Sequence, residues 1–218
     1  MTGTLPVNRG GTGVTSINAI RGALGIFTLA DYCYMGGQNW RCIHKGSGFA
    51  ILKCMDSMSR AYKSSGSCGR WSTSDLRTYL NGEFYNKFSA AEKQRIIPVS
   101  NGQVYANDNY THAGVETTND NVWIECYQNL TGVSYSSGGT FNEYTTVLGT
   151  KISSKFLLYV RAQSNQTIGA AYWLRSGGGY TYNLICPASG TSMNLGANGS
   201  FSGCNSNLRF CPCIAVLC

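Results

Sequence analysis

The sequence predicts an α+β domain of short antiparallel strands, two short helices and long ordered loops. Only 12% of the residues are charged, and Gly and Tyr are abundant with 27 and 14 copies. Such a composition favours strands and ordered loops over helices. The segment 40–54 has the pattern of a β-hairpin, with strands at 40–43 and 49–54 joined by a turn at 45–48. A capped amphipathic helix follows it.

Two helix starts can be read from capping residues. The first helix is capped within Ser72-Thr73-Ser74 and places apolar side chains on one face. These are Leu76, Tyr79, Leu80 and Phe84. Ser89 and Glu92 have the spacing of a capping box for a second, short helix, which Pro98 closes.

The rest of the chain is predicted as short strands and turns. The segment 118–121 is expected to be a turn, and 120–132 a strand that runs into a short turn or helix. We expect loops at 133–150, a helix or strand at 155–161 and a strand at 172–175. Glycine-rich turns then separate further short strands, with one turn at Gly203.

The chain from Gln163 to its end carries formal charge only at Arg175 and Arg209. It is rich in Tyr, Asn, Ser and Gly, which is the composition of a binding surface. Tyr provides rigid amphipathic contact area, and Asn, Ser and Gly provide adaptable hydrogen bonding. The residues predicted to form this ligand-binding face are Tyr180, Tyr182, Asn183, Asn194, Asn198, Phe201, Asn205 and Asn207.

The charge and cysteine patterns argue against several classes of protein. The net charge is +7, but the basic residues are scattered, which disfavours a nucleic-acid partner. No apolar run approaches the roughly 18 residues that a membrane span needs. The ten cysteines include no CxxC pair, so a zinc site is not expected. Free buried thiols are the favoured interpretation, and some disulfides remain open.

No catalytic residue, metal site or cofactor is predicted. His44 and His112 lack a local partner pattern for nucleophilic catalysis. Calcium prefers several hard oxygen ligands, and the segment 118–121 holds a single carboxylate. Glu116, Glu125 and Glu143 give no paired-carboxylate pattern. A copper site at Cys204, Cys211 and Cys213 is disfavoured because the last two read as buried structural thiols.

Residues 1–30 differ from the remainder and are predicted to be a separate joint. Leu5-Pro6-Val7 is followed by Arg9 and the glycine-rich run 10–13, and then by a short helical pattern through Ile17, Ile20 and Leu24. This arrangement resembles a joint found in phage tail-fibre and tail-tip proteins. The resemblance implies a trimeric virion fibre, with a ligand-binding domain at 31–218.

Two further motifs resemble C-type-lectin-like domains of phages and bacteria, which share the fold of formylglycine-generating-enzyme-like proteins. One is Tyr172 followed by Trp-Leu-Arg-Ser at 173–176; the other starts at Trp71 and runs to Tyr85. The resemblance extends over about 40–217. The scaffold residues it marks are Trp71, Asp75, Arg77, Trp173, Arg175 and Ser176.

We expect these scaffold residues to be structural. Trp71 and Trp173 should lie in the core, and Asp75 and Arg77 should tie the first helix to its flanking loops. Arg175 should bridge backbone carbonyls or a carboxylate across the sheet. The closing segment 208–212 departs from the family because Cys211 stands where an arginine is usual.

The resemblance implies a virion receptor-binding protein, assembled in the host cytoplasm, that adheres to a bacterial surface protein or glycan. Related domains are diversified by retroelements, and an Asn-rich C-terminal segment is what adenine-directed mutagenesis of Asn codons would leave. Three copies on one fibre would raise weak single-site affinity. The alternatives are a structural tail protein without its own receptor and a surface-glycan depolymerase.

Overall fold

A computed structural model describes residues 26–56, 58–66, 69–106, 112–136, 140–152, 156, 172–177, 182–186 and 200–218. These residues form an α+β fold that is mostly strand, with a few short helices. The predicted fold class is confirmed at this level. Residues 1–25 of the predicted joint lie outside the described residues, as does most of the segment 155–161.

The first sheet is antiparallel and contains the predicted hairpin. Its order is β1-β2-β3-β16-β5. The strands are β1 (Tyr32–Met35), β2 (Gln38–Gly46), β3 (Phe49–Cys54), β5 (Ile96–Ile97) and β16 (Cys213–Leu217). The hairpin is confirmed, since Gly46 pairs with Phe49 across a two-residue turn in which Gly48 has φ +78°. Central strand β3 is buried along its whole length, and β2 and β16 pair with its two edges.

Both predicted helix starts are confirmed. Helix α1 (Asp75–Tyr79) begins after Ser74, whose side chain accepts from Arg77 N, and α2 (Ala90–Arg95) has the Ser89–Glu92 capping box. The segment after α1 is a π-helical turn at Leu80–Phe84 and a 3₁₀ turn at Tyr85–Lys87. In the part of the chain that the structure describes, no helix is long and apolar enough to cross a membrane.

The second sheet corrects two predictions. Its order is β11-β10-β6-β7. The strands are β6 (Val99–Ala106), β7 (His112–Asp120), β10 (Tyr144–Val147) and β11 (Thr150–Ile152), and a separate pair is β8 (Tyr135–Ser136) with β9 (Thr140–Phe141). The segment 118–121 was predicted to be a turn, but residues 118–120 belong to β7. The segment 133–150 was predicted to be loop, but strands occupy half of it.

The strand predicted within 120–132 is wrong, whereas the helix predicted after it is confirmed. Residues 121–126 form only an isolated bridge, at Trp123 with Cys213, and α3 (Tyr127–Thr131) follows. The strand lies earlier in the chain, in β7, which includes polar Thr118 and Asp120. Both are buried there, and the Thr118 hydroxyl donates to Asp120 at 2.7 Å. Their polarity hid the strand from the sequence pattern.

The third sheet collects the C-terminal strands, in the order β14-β13-β12-β15-β4. They are β4 (Met58–Arg60), β12 (Tyr172–Gly177), β13 (Tyr182–Cys186), β14 (Ser200–Gly203) and β15 (Leu208–Phe210). Strand β12 confirms the strand predicted at 172–175. It pairs in parallel with β15 and antiparallel with β13. The sheet thus joins residues that lie more than 100 positions apart in the sequence.

The main core is aromatic. Trp71 and Trp173 are fully buried, as the sequence analysis expects, and both rings lie about 6 Å from the ring of Tyr62, at 6.0 and 5.6 Å. Phe27 is also fully buried in this core, so packing of the main domain includes a residue that the sequence assigns to the joint. Burial of such rings provides most of the favourable free energy of folding.

Arg175 is a fully buried cation that connects three parts of the fold. Its Nη1 donates to the Ile124 carbonyl at 2.7 Å and to the Asn129 side chain at 3.0 Å. Its Nη2 donates to the Tyr144 carbonyl at 3.0 Å and to the Thr145 hydroxyl at 3.1 Å. The guanidinium therefore holds β12, α3 and β10 together, in the carbonyl-bridging role that the sequence analysis expects.

Asp120 is a second buried polar centre, at the end of β7. Its carboxylate accepts from Trp71 Nε1 at 3.1 Å, Arg77 Nε at 2.6 Å and Asn101 Nδ2 at 3.1 Å. Arg77 also donates to the Asn119 carbonyl. These bonds tie α1 to the second sheet. A carboxylate with this many donors is stable in the core because its desolvation is offset.

A third buried pair lies between the first sheet and the loop before α3. Lys53 Nζ donates to Glu125 Oε2, and both side chains are 4% exposed. The ammonium also lies 4.9 Å from the ring centroid of Tyr172, which adds a cation–π contact. Removing one member of such a pair leaves an uncompensated buried charge.

Arg175→Met should strongly destabilise the chain. The substitution removes the guanidinium hydrogen bonds to the Ile124 and Tyr144 carbonyls, and each unsatisfied buried group costs about 1–3 kcal/mol. We expect a loss of at least ~3 kcal/mol in urea unfolding followed by tryptophan fluorescence. The matched control is Arg70→Met, because Arg70 is 45% exposed and forms a surface pair with Glu116 that is worth at most ~1 kcal/mol. Equal losses in the two variants would contradict this role.

Candidate functional site

The predicted ligand-binding residues fall on one edge of the third sheet wherever the structure describes them. Tyr182 and Asn183 lie in β13 and Phe201 lies in the neighbouring edge strand β14. Antiparallel pairing places Tyr182 opposite Gly203 and Phe201 opposite Leu184. The fold therefore brings together positions that are about 20 residues apart. Tyr180, Asn194 and Asn198 lie outside the described residues.

The last two predicted residues lie in the turn that follows β14. Asn205 and Asn207 are both exposed. The turn is closed by hydrogen bonds from Ser206 N to the Gly203 carbonyl and from Leu208 N to the Ser206 carbonyl, each 3.0 Å. This confirms the turn predicted at Gly203. It presents two carboxamides to solvent from a defined backbone.

A cleft lies beside this turn, and the sequence analysis did not identify it. It has a volume of about 150 Å³ and is lined by residues 63–66 together with Cys204 and Asn205. We call it the Lys63 cleft. The signal that was available is the Lys-Ser-Ser-Gly run between β4 and α1, because polar loops held on a rigid scaffold often carry binding residues. The sequence did not show that this loop lies against Cys204 and Asn205.

The walls of the Lys63 cleft are fixed by contacts across it and behind it. Lys63 N donates to the Cys204 carbonyl at 3.1 Å, which joins the loop to the turn. Ser64 donates to Asp75 Oδ2 through both its backbone N–H, at 2.7 Å, and its hydroxyl, at 2.6 Å. Asp75 thus ties α1 to its flanking loop. Cys204, on the other wall, is disulfide-bonded.

The residues around the cleft carry a net positive charge. Hydrogen bonds from the Ser64 hydroxyl and backbone N–H lower the pKa of Asp75, and the positive charges of Lys63 and Arg60 lower it further. Asp75 therefore remains ionised, and its Oδ2 atom accepts two hydrogen bonds from Ser64. Arg60 lies with its guanidinium carbon 4.3 Å from the ring centroid of Tyr79 and is exposed. Two positive charges, on Lys63 and Arg60, thus act on the single carboxylate of Asp75.

The acidic residues considered for glycosidase chemistry are all engaged in structural contacts. Glu116 accepts from the backbone N–H and hydroxyl of Ser72 and pairs with Arg70. Glu143 accepts from Val104 N at 3.0 Å and Ser176 Oγ at 2.9 Å, and burial raises its pKa. Glu125 pairs with Lys53, as described above. These three carboxylates make hydrogen bonds and ion pairs that stabilise the fold.

His44 is also engaged in structural contacts. His44 packs its ring 6.1 Å from that of Phe49 and 5.7 Å from that of Phe156, and burial lowers its pKa. His112 begins β7, far along the strand from Asp120. Within the described ranges, no group of three His, Cys, Asp or Glu side chains is placed to hold a metal ion.

The cysteines are of two kinds. Among those described, the free thiols are Cys33, Cys42, Cys54, Cys126, Cys211, Cys213 and Cys218. The prediction of free buried thiols is confirmed for all of these except Cys218, which is exposed, and it is wrong for Cys204, which is disulfide-bonded. Cys211 precedes β16 rather than sharing that strand with Cys213, although both are buried.

Comparison with known proteins places the chain in one family. A family model described as a domain of unknown function, DUF6273, matches residues 49–209. The chain belongs to the DUF6273 family. No curated protein and no solved structure matches it. The matched span of this DUF6273 protein begins at β3 and ends within β15. It therefore includes both walls of the Lys63 cleft, and Arg175 with all of its hydrogen-bond partners.

Cys218 should be the fastest of the seven described free thiols to react with iodoacetamide at pH 8. Burial raises the pKa of Cys33 and Cys54 to about 12 and that of Cys42 to about 11, so little reactive thiolate exists there and access is blocked. Peptide mapping by mass spectrometry should show at least about tenfold faster modification at Cys218. Equal rates in the folded chain would contradict the burial, and equal rates in urea are the control.

Proposed function

We propose that this DUF6273 protein is a receptor-binding protein at a phage tail-fibre tip, which adheres non-covalently to a bacterial surface protein or glycan. The observation that carries the proposal is the site itself. Exposed Asn205 and Asn207 stand on a closed turn beside the edge pair β13–β14, in the segment with the composition of a binding surface. The Lys63 cleft adds a recess to this edge. Such a site binds a ligand without needing a catalytic group.

We also propose that the domain is C-type-lectin-like. Support comes from the way the two sequence motifs meet. Trp71, from the helix motif, and Trp173, from the strand motif, both pack against Tyr62 in the core. Arg77 and Arg175, from the same motifs, each make several hydrogen bonds to backbone carbonyls and buried side chains. The motif residues thus act together as one scaffold.

A scaffold of this kind tolerates substitution of the residues on its exposed surface. The buried polar contacts are made by Arg175, Asp120 and Lys53, whereas Asn205 and Asn207 are exposed. Surface substitutions away from buried networks usually change stability by no more than ~0.5 kcal/mol. We therefore include diversification of the Asn-rich segment by a retroelement in the proposal.

A structural tail protein without its own receptor is the second candidate. One observation favours it: the described residues include an apolar end of the domain, which contains exposed Ile26, Leu148 and Leu217. Gly48 lies near exposed Leu148, and its carbonyl accepts a hydrogen bond from Cys218 N, next to exposed Leu217. The nearby Lys45 donates to the Phe27 carbonyl, beside exposed Ile26. Clustered exposed apolar side chains are typical of a protein contact.

The same apolar end supports a homotrimer in the virion, whichever candidate is correct. Leu148 has φ +47° and is followed by Gly149 at +77°, in a two-residue turn between Val147 and Thr150. Turns of this shape favour Asn-Gly, and a leucine there is both strained and exposed, at 55%. Strained residues of this kind are concentrated at functional sites. We assign Leu148 to the contact between subunits.

Leu148→Asn should therefore have two opposite effects. Relief of the backbone strain should stabilise the subunit by about 1 kcal/mol, while loss of the apolar contact should weaken association. Light scattering after size-exclusion chromatography should show a trimer for the full-length chain and lower mass for the variant. Val133→Asn, at an equally exposed apolar residue elsewhere, is the control. A monomeric wild type, or an undiminished trimer in Leu148→Asn, would contradict the assignment.

Receptor binding is tested by competition. Purified full-length chain should block adsorption of particles that carry it to their host bacteria. Asn205→Ala/Asn207→Ala should weaken this competition by at least tenfold, because a few central contacts dominate most interfaces. Tyr180→Ala/Tyr182→Ala tests the aromatic part of the predicted face. Asn86→Ala/Asn142→Ala is the matched control, since both asparagines are exposed and distant in sequence.

The outcomes separate the two candidate functions. Loss of competition in the first two variants but not in the control supports the receptor-binding proposal. An absence of competition by the wild-type chain would favour the structural tail protein. Release of soluble sugar from the bacterial surface during the assay would instead indicate a depolymerase, and it would overturn the proposal of non-covalent adhesion.

A further inference from the structure

We propose that the Lys63 cleft binds the acidic group of a surface saccharide, with the Lys63 ammonium as its anion-binding group. This inference rests on the proposed function and specifies its ligand. A carboxylate of a uronic acid and a phosphate of a sugar phosphate share the required chemistry, which is an anion attached to a ring that carries hydroxyl groups. The experiment below distinguishes these two sources.

The cleft is lined by polar residues whose side chains make few hydrogen bonds to other described residues. In the described part of the structure, Lys63 Nζ makes one long hydrogen bond, to Thr73 Oγ1 at 3.5 Å, and no salt bridge. The Ser65 hydroxyl and the Asn205 carboxamide also line the cleft and form no hydrogen bond with another described residue. An ammonium, a hydroxyl and a carboxamide thus remain available to a ligand.

The cleft carries an excess of positive charge. Half-buried Lys63 lines it. Exposed Arg60 adds a second positive charge, and both cations act on Asp75. Asp75 does not neutralise the cleft by contact because its Oδ2 accepts both hydrogen bonds from Ser64. The excess positive charge favours an anionic ligand over a neutral one.

The cleft is small and its walls are held in place. Its volume is about 150 Å³. This space suits one sugar ring or its acidic group rather than a peptide segment. The Lys63 N to Cys204 carbonyl bond and the Ser64–Asp75 bonds hold the two walls in place before any ligand arrives. A preformed site avoids the entropic cost of ordering its own loops on binding.

The test measures binding of three defined probes to the full-length chain by saturation-transfer NMR. The probes are methyl glucuronide, glucose 1-phosphate and methyl glucoside. We expect at least one acidic probe to bind ten times or more tightly than the neutral glucoside, and its binding to weaken in high salt. The acidic probe that binds identifies the source of the anion. Equal binding of all three, or of the glucoside alone, would overturn the inference.

Two variants locate the effect. Lys63→Gln should weaken binding of the acidic probe at least tenfold. Lys87→Gln should leave it unchanged, although it removes the same charge from another exposed site. Both variants should unfold at the temperature of the wild type, because the Lys63 ammonium makes only one long hydrogen bond. Equal weakening in the two variants would show a general charge effect and would overturn the assignment to the cleft.

The same variants separate this inference from the proposed function. If the wild-type chain competes for host cells but binds neither acidic probe, the inference fails and receptor binding stands. If the acidic probe binds through Lys63 while the chain does not compete for cells, the cleft is a saccharide site and the receptor-binding proposal fails. Reduced cell competition by Lys63→Gln, with Lys87→Gln unaffected, would support both.

Discussion

The burial of Arg175 is the constraint on which the rest of this structure depends. A guanidinium has five N–H donors and cannot lose its charge, so a fully buried one needs acceptors already in place. Those acceptors come from the segment before α3, from α3 itself and from β10. The three segments that provide them therefore have to be held in one arrangement. Few side chains can specify so much irregular backbone at once.

The other buried polar groups connect further elements of the fold in the same way. Asp120 attaches α1 to the second sheet, and the Lys53–Glu125 pair attaches the first sheet to the segment that Arg175 holds. Long loops are usually the weakest part of a domain, because their backbone groups lack regular partners. Here charged side chains in the core provide those partners. The result is a rigid support beneath an edge that carries few charges.

That support explains how a binding function can reside on loops and edge strands. The exposed carboxamides of Asn205 and Asn207 stand on a closed turn, and the Lys63 cleft beside them has both walls fixed. A preformed surface loses little entropy on binding. Three such surfaces on one fibre would act together, which raises avidity without new contacts. The proposed adhesion, the acidic saccharide and the trimer are thus linked but can be tested separately.

The sequence alone determined the local elements of this protein. The 40–54 hairpin, the Ser74 and Ser89 caps and the strand at 172–175 were predictable because capping and alternation act between near neighbours. The strand at Thr118 and Asp120 was missed, since its inward side chains are polar and become acceptable only beside Trp71 and Arg77. Tertiary structure alone decided the Lys63 cleft, because its walls are about 140 residues apart. No local pattern encodes such a contact; only packing of the whole chain creates it.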